Sequence, residues 1–166
     1  SKIFPYIVKN IDDIITVEDD ELIVAFLDMV ENHKMSAENS GLLSVAALEK
    51  LNVSGKKVVS IISGGNMDVI TMSSVVQHGL IQRGRVFSVS VLLPDKPGEL
   101  LKVAKVIADA KGNVIKLEHN QFVSINRNAA VELKITLEAF GIDHKNEIIA
   151  ALKKAGYDPK SVQTSF

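Results

Sequence analysis

The sequence predicts an α/β protein in two parts, a helix-rich first half and a second half ordered βαββαβ. Three observations predict it. Residues 130–139 alternate strictly, with Val131, Leu133, Ile135 and Leu137 on one face and Glu132, Lys134, Thr136 and Glu138 on the other. Segments of helical periodicity separate such strands. Residues 57–62 (KVVSII) form a short continuous apolar run instead, the habit of a strand covered on both faces in a parallel sheet.

The chain has 166 residues, 46% of them apolar and only 5% aromatic, so its core is aliphatic. A formal net charge of −1 with interspersed signs gives no footprint for nucleic acid. Cysteine is absent, which excludes disulfides and thiolate metal sites. No apolar run approaches the roughly 20 residues that span a bilayer, and the first residues carry no signal-peptide pattern. These features lead us to expect a soluble, cytoplasmic protein with neither nucleic acid nor membrane as partner. The four histidines have no metal-ligand spacing, so no metal is expected.

In chain order, residues 1–10 start without a cap or an initiator methionine, and a cut inside a longer protein is expected. Residues 13–17 (DIITV) are a strand candidate. The acidic run at 18–21 favours a helix N-terminus, and Ile23, Phe26, Leu27 and Val30 then supply an amphipathic face. A second helix is expected over 36–51, apolar on most of its circumference and stopped by Asn52 and Gly55. The strand at 57–62 ends in Ser63-Gly64-Gly65-Asn66, and a helix follows over 68–82. Gly84 and Arg85 mark a boundary between domains 1–85 and 86–166.

Residues 86–93 predict a strand with Val89, Val91 and Leu93 inward and Ser88, Ser90 and Leu92 outward. A Pro/Gly turn follows, with Pro97 at the first helical position. Leu100, Val103, Ala104 and Ile107 form the inner face of the next helix. Residues 114–122 are a second strand, 126–128 (NRN) a turn, and 130–139 the third strand. Ile148, Ala151, Leu152 and Ala155 mark a last helix, and 157–163 an edge strand weakened by Pro159. This is the ferredoxin-like arrangement, an antiparallel sheet with two helices on one side.

Two stretches carry a resemblance in the second half: residues 92–100 (LLPDKPGEL) and 112–115 (GNVI). Over residues 86–160 the chain resembles the ACT domain, a regulatory module of amino-acid metabolism. The resemblance implies that two copies pair and that an amino-acid effector binds near the turn at their interface. By position, Asp95, Pro97 and Gly98 belong to the binding turn, and Asn113 faces it from the start of the next strand. The backbone N–H groups of Gly98 and Glu99 suit a carboxylate, while Asp95 and the amide oxygen of Asn113 suit an ammonium group. The plainer alternative is that Asp95 caps the helix and Asn113 occupies a turn.

The first 85 residues resemble the end of the catalytic domain of PLP-dependent threonine/serine dehydratases, of the tryptophan-synthase-β-like fold type II. Residues 11–21 (IDDIITVEDDE), 36–48 (SAENSGLLSVAAL) and 59–68 (VSIISGGNMD) carry the likeness. With the ACT-like half, the chain is similar to the threonine ammonia-lyase family, which implies β-elimination of threonine to 2-oxobutanoate and ammonia, and a homo-oligomer. The resemblance puts Ser63 beside the pyridine nitrogen of pyridoxal phosphate, with Gly64, Gly65, Asn66 and Glu38 in the cofactor's surroundings. A neutral hydroxyl leaves that nitrogen largely unprotonated, a weaker electron sink than an aspartate partner gives and one suited to β-elimination.

The Schiff-base lysine motif and glycine-rich phosphate cup of that family are missing, and both are expected upstream of residue 1. No catalytic residue is therefore assigned within the chain, which alone is expected neither to hold the cofactor nor to be active. The alternative is a non-catalytic amino-acid sensor. The strand at 57–62, without its parallel neighbours, is also expected to leave an apolar edge.

Overall fold

A computed structural model describes residues 2–120 and 130–164, which form two compact units dividing between Val76 and Gln77.

In the first unit, α1 (Phe4–Asn10) starts with proline in its first turn and buries none of its residues. The expected strand at 13–17 does not form. Asp13 accepts the Ile14 N–H at 2.7 Å, a local bond that competes with a strand ladder. Helix α2 (Asp19–Asp28) begins where the acidic run places it, and the Glu18 N–H donates to the Glu21 carboxylate at 2.7 Å. Its inward face, Leu22, Ala25 and Phe26, packs with Met29, Ala37, Leu42, Ala46 and Val75, while Ile23 and Val30 lie at the margin. A π-helical turn (Met29–His33) continues it and stops at Lys34, whose φ is +58°.

The single helix expected over 36–51 is broken into a 3-10 turn (Asn39–Leu42), one α turn α3 (Leu43–Ala46) and a second 3-10 turn (Ala47–Lys50). The cause is nonlocal. The Gly41 carbonyl accepts the Ser63 N–H at 3.3 Å, which pulls it away from helical pairing. Lys50 closes the segment against α2 through an ion pair to Glu21 at 2.8 Å. This hydrogen bond from Lys50, with the bond from the Glu18 N–H, holds the Glu21 carboxyl below its ordinary range. The strand expected over 57–62 is not paired into a sheet, and Val59 and Ile61 are 90% and 78% exposed. Helix α4 (Val69–Gln82) follows Asp68, whose carboxylate accepts the Ile70 and Thr71 N–H groups, each at 3.0 Å.

The second unit contains β1 (Val86–Pro94), α5 (Glu99–Asp109), β2 (Asn113–Asn120), β3 (Ala130–Glu138), α6 (Ile142–Lys154) and β4 (Lys160–Val162). The sheet order is β2-β3-β1-β4 with every neighbouring pair antiparallel, as the ferredoxin-like expectation requires. Phe87, Val89, Val91 and Leu93 of β1 and Leu133, Ile135 and Leu137 of β3 meet Val103 and Ile107 of α5 and Ile148 and Leu152 of α6 in one core.

Two details depart from expectation. Ser88 and Ser90 lie on the face opposite the helices as expected, yet they are buried there, where the Ser88 hydroxyl bonds Thr136 Oγ1 at 2.9 Å and the Ser90 hydroxyl donates to Glu132. Helix α5 starts at Glu99 after Gly98 at φ +91°, so Pro97 precedes the helix instead of opening it. The turn expected at 126–128 and the end of the second strand, 121–122, lie outside the described residues. The imidazole of His144 accepts the Phe140 N–H at Nδ1 (3.0 Å), and its Nε2 lies 2.8 Å from the Ala110 carbonyl, tying α6 to the end of α5.

Leu133→Ala is expected to destabilise the second unit by about 2–5 kcal/mol, whereas Leu92→Ala, at an exposed position of the neighbouring strand, stays within about 0.5 kcal/mol; urea unfolding measures both. Lys50→Met should raise the Glu21 titration midpoint towards the ordinary glutamate value, which carboxyl NMR reads directly. Because that midpoint is depressed in the folded chain, the stabilisation from Glu21 is present above the unfolded midpoint and is lost as pH falls through the folded one.

Candidate functional site

Residues that the sequence singles out fall in two places, one in each unit, with Asn113 apart from both. In the first, the Ser63–Asn66 loop lies against residues 38–44. The Glu38 N–H donates to the Gly64 carbonyl and the Ser63 N–H to the Gly41 carbonyl, both at 3.3 Å. Further along, the Ser44 hydroxyl donates to the Ile61 carbonyl at 2.8 Å. The chain thus brings Glu38 and Ser63-Gly64 together although 25 positions separate Glu38 from Ser63.

Two glycines make this approach possible. A Cβ at Gly41 would sit 1.5 Å from the Ser63 carbonyl oxygen, so any side chain there expels the loop. Gly64 has φ +74°, and a Cβ on it would fall 2.2 Å from Glu38 Oε1. The Glu38 carboxylate is held in that slot by the Ser40 hydroxyl at 3.0 Å. Gly65, by contrast, faces open space. Ser63 and Asn66 are exposed, and Glu38 is half-buried. Gly41 was not assigned a role from sequence. A glycine inside an otherwise apolar helical pattern was the signal for it.

The loop thus holds Ser63 and Gly64 on a backbone clamp, with the Glu38 carboxylate in the slot beside Gly64. Nothing among the described residues supplies a phosphate cup or an amine in a setting for a Schiff base.

The second place is the turn after β1. Asp95, Pro97 and Gly98 are all exposed there. Gly98 is the N-cap of α5 and no side chain caps it, so Asp95 does not serve as the helix cap. The Glu99 N–H donates to the Lys96 carbonyl at 3.3 Å, and the Glu99 carboxylate pairs with Lys102 at 2.7 Å. That pairing raises the Lys102 ammonium above its ordinary value.

Asn113 is not brought to this turn. It starts β2 opposite Glu138, and Glu138 is paired with Val86, the first residue of β1, whereas the turn follows the last residue of β1. Nine residues of β1 at about 3.3 Å each put Asn113 and Asp95 on the order of 25 Å apart within one chain. The Asn113 amide donates to Glu138 at 3.1 Å, which leaves its oxygen as the free acceptor of that group.

By fold, the second unit is a four-stranded antiparallel βαββαβ sandwich. No family model matches the chain. It is similar to the L-threonine ammonia-lyase of Geobacter sulfurreducens, 36% identical over 156 residues, which are 93% of this chain and 39% of that protein. The Thermotoga maritima L-threonine ammonia-lyase is 32% identical over 96% of this chain and 40% of its own length. The biosynthetic L-threonine dehydratase of Pasteurella multocida is 30% identical over 90% of this chain and 29% of itself. The chain thus spans about two fifths of the length of the first two of these relatives. Among solved structures, prephenate dehydratase from Streptococcus mutans aligns with 46% of this chain and 40% of its own at 22% identity, with a TM-score of 0.39. No helix of the described residues is long and apolar enough to cross a membrane.

Gly41→Ala is expected to destabilise the first unit by about 1–3 kcal/mol or more and to shift the amide resonances of residues 61–65. Gly65→Ala should leave both readouts unchanged, and equal behaviour of the two variants would contradict the clamp.

Proposed function

We propose that the chain is the C-terminal part of a PLP-dependent L-threonine ammonia-lyase, with residues 1–85 closing the fold type II catalytic domain and residues 86–166 forming an ACT regulatory domain. The observation that carries this reading is the similarity to L-threonine ammonia-lyases over more than nine tenths of the chain. The parent enzyme would convert threonine to 2-oxobutanoate and ammonia. When bound, pyridoxal phosphate supplies the electron sink for that elimination. On this reading Ser63 hydrogen-bonds the ring nitrogen without protonating it, and Glu38, Gly64, Gly65 and Asn66 shape the same edge. Purified chain should give no 2-oxobutanoate from threonine, with or without added pyridoxal phosphate; measurable product would overturn the division of the site.

The second unit is the amino-acid-responsive part. In one chain Asp95 and Asn113 stand at opposite ends of the sheet, and β2 is an outer strand with Ile115 and Leu117 exposed. An antiparallel pairing of β2 with the same strand of a second copy carries the partner's Asn113 to the end that bears the Asp95 turn. Each effector site is then built from two chains, with Asp95 of one and the partner's Asn113 receiving the ammonium group, and the Gly98 N–H receiving the carboxylate.

Calorimetric titration with isoleucine, valine, threonine and serine should show saturable binding of at least one, and silence from all four would sink the effector reading. Asp95→Ala and Asn113→Ala should each abolish that binding. An equal mixture of the two variants, refolded together, should recover roughly a quarter of the sites, because only mixed dimers hold one intact pair. No recovery would overturn the two-chain site.

A further inference from the structure

The β4 edge of the sheet carries a cavity that neither candidate site uses. Strands β1 and β4 pair from Ser90 with Lys160 to Ser88 with Val162, and there the pairing stops. Gln163 and Thr164 run on past Val162 outside any strand. A cavity of about 380 Å³ opens at that point, walled by the end of α4, the start of β1, α6 and residues 161–164, all within the second unit.

The wall divides by chemistry. Ile81, Phe87 and Val162 supply apolar surface, while Lys145, Ser161, Gln163 and Thr164 carry polar ends. Among the described residues no hydrogen bond or ion pair engages the side chains of those four. The Ser88 hydroxyl, by contrast, is already bonded to Thr136. Lys145 is half-buried, and its ammonium lies 5.5 Å from the centroid of the Phe87 ring. Phe87 belongs to the core, so this contact fixes the cation at the cavity. Lys145 and His78 are the titratable groups of the wall, and no aspartate or glutamate lines it. A cation partly withdrawn from water with no anion beside it leaves a place for one.

We propose that this cavity binds a small organic carboxylate with a short aliphatic body and no ammonium group. Lys145 receives the carboxylate, with the donors of Ser161, Gln163 and Thr164 around it. The aliphatic body lies against Ile81, Phe87 and Val162. The volume stands at the low end of ligand pockets, which run from roughly 300 to 1,000 Å³, and suits a molecule of a few carbon atoms. An ammonium group would meet a second cation there and no carboxylate, so free amino acids are turned away. The site is distinct from the Asp95 turn: it adjoins the first residues of β1, and the turn follows the last. It does not depend on the effector reading.

The test titrates the ¹⁵N-labelled chain with butanoate, acetate, 2-aminobutanoate and inorganic phosphate while amide resonances are followed. Butanoate should shift the amides of Ser88 and residues 161–164 saturably. Acetate, two methylenes shorter, should bind roughly tenfold more weakly. Neither 2-aminobutanoate nor phosphate should move those amides. Shifts by 2-aminobutanoate at residues 95–99 instead would report on the effector site and leave this one standing. Absence of saturable butanoate shifts at 161–164 overturns the inference, as does equal binding of acetate, phosphate or 2-aminobutanoate there. Lys145→Gln should weaken butanoate by about tenfold or more, Lys145→Arg should retain most of the affinity, and Lys153→Gln, at an exposed position of the same helix, should change nothing. Unaltered binding in Lys145→Gln, or equal loss in Lys153→Gln, would remove Lys145 from the site and the proposal with it.

Discussion

The register of β1 against β3 is the constraint on which the second unit depends. Val89 faces Ile135, Val91 faces Leu133, Leu93 faces Val131 and Phe87 faces Leu137, so every inward cross-strand pair is apolar. The intervening pairs, Ser88 with Thr136 and Ser90 with Lys134, carry the polar groups to the other face. A slip of one residue would turn Ser88, Ser90, Lys134 and Thr136 towards Ile107, Ile148 and Leu152, all fully buried. Burial of unsatisfied hydroxyls and an ammonium there costs several times what any single apolar contact returns. The register is therefore specified along the whole length of the strands, and it fixes the helices, the Asp95 turn and the start of β2 together.

The first unit rests on a different kind of constraint, close backbone approach. No sheet holds residues 57–64. They are fastened to 38–44 by two backbone bonds near Ser63 and by serine hydroxyls further along. The approach succeeds only because position 41 has no Cβ. The same contact breaks the expected helix into three short pieces, so local helical pairing is exchanged for placement of Ser63 beside Glu38. Local regularity yields to this close approach, a departure of the kind that sequence-level rules permit at functional positions.

Legibility in the sequence follows the same division. The strands and helices of the second half were readable because a two-residue or 3.6-residue period is local information, and β3 alone displays its buried face in four consecutive alternations. The burial of Ser88 was not readable, since its partner Thr136 lies 48 positions away and a serine in an alternating strand ordinarily marks the wet face. In the first half, the acidic run located α2 because capping and the helix dipole act within one turn. The breaks within 36–51 depend on Ser63, and no periodicity inside the segment announces a partner beyond it. For 57–62 the composition states a preference for covered strand, but the neighbour that would satisfy it is not among the described residues of the unit. The turn at 94–98 was readable, but that Asn113 starts at the opposite end of the sheet within one chain was not, because motif spacing along a chain says nothing about which end of a sheet each piece reaches.

That last relation bears on how the proposed effector site would work. If each effector site takes Asp95 from one chain and the partner's Asn113, no lone chain holds a complete site, because the sheet keeps the two residues a strand length apart. Binding and association are then thermodynamically linked: whatever occupies the site stabilises the paired state and has nothing to gain from the unpaired one. At a hundredfold excess over its dissociation constant an effector adds about 2.7 kcal/mol per site to pairing, and a two-fold interface holds two such sites. The rigidity of the β1–β3 register is what makes this linkage strong. A sheet that could flex enough to fold Asn113 back onto its own turn would let a single chain bind, and the effector would lose its hold on assembly.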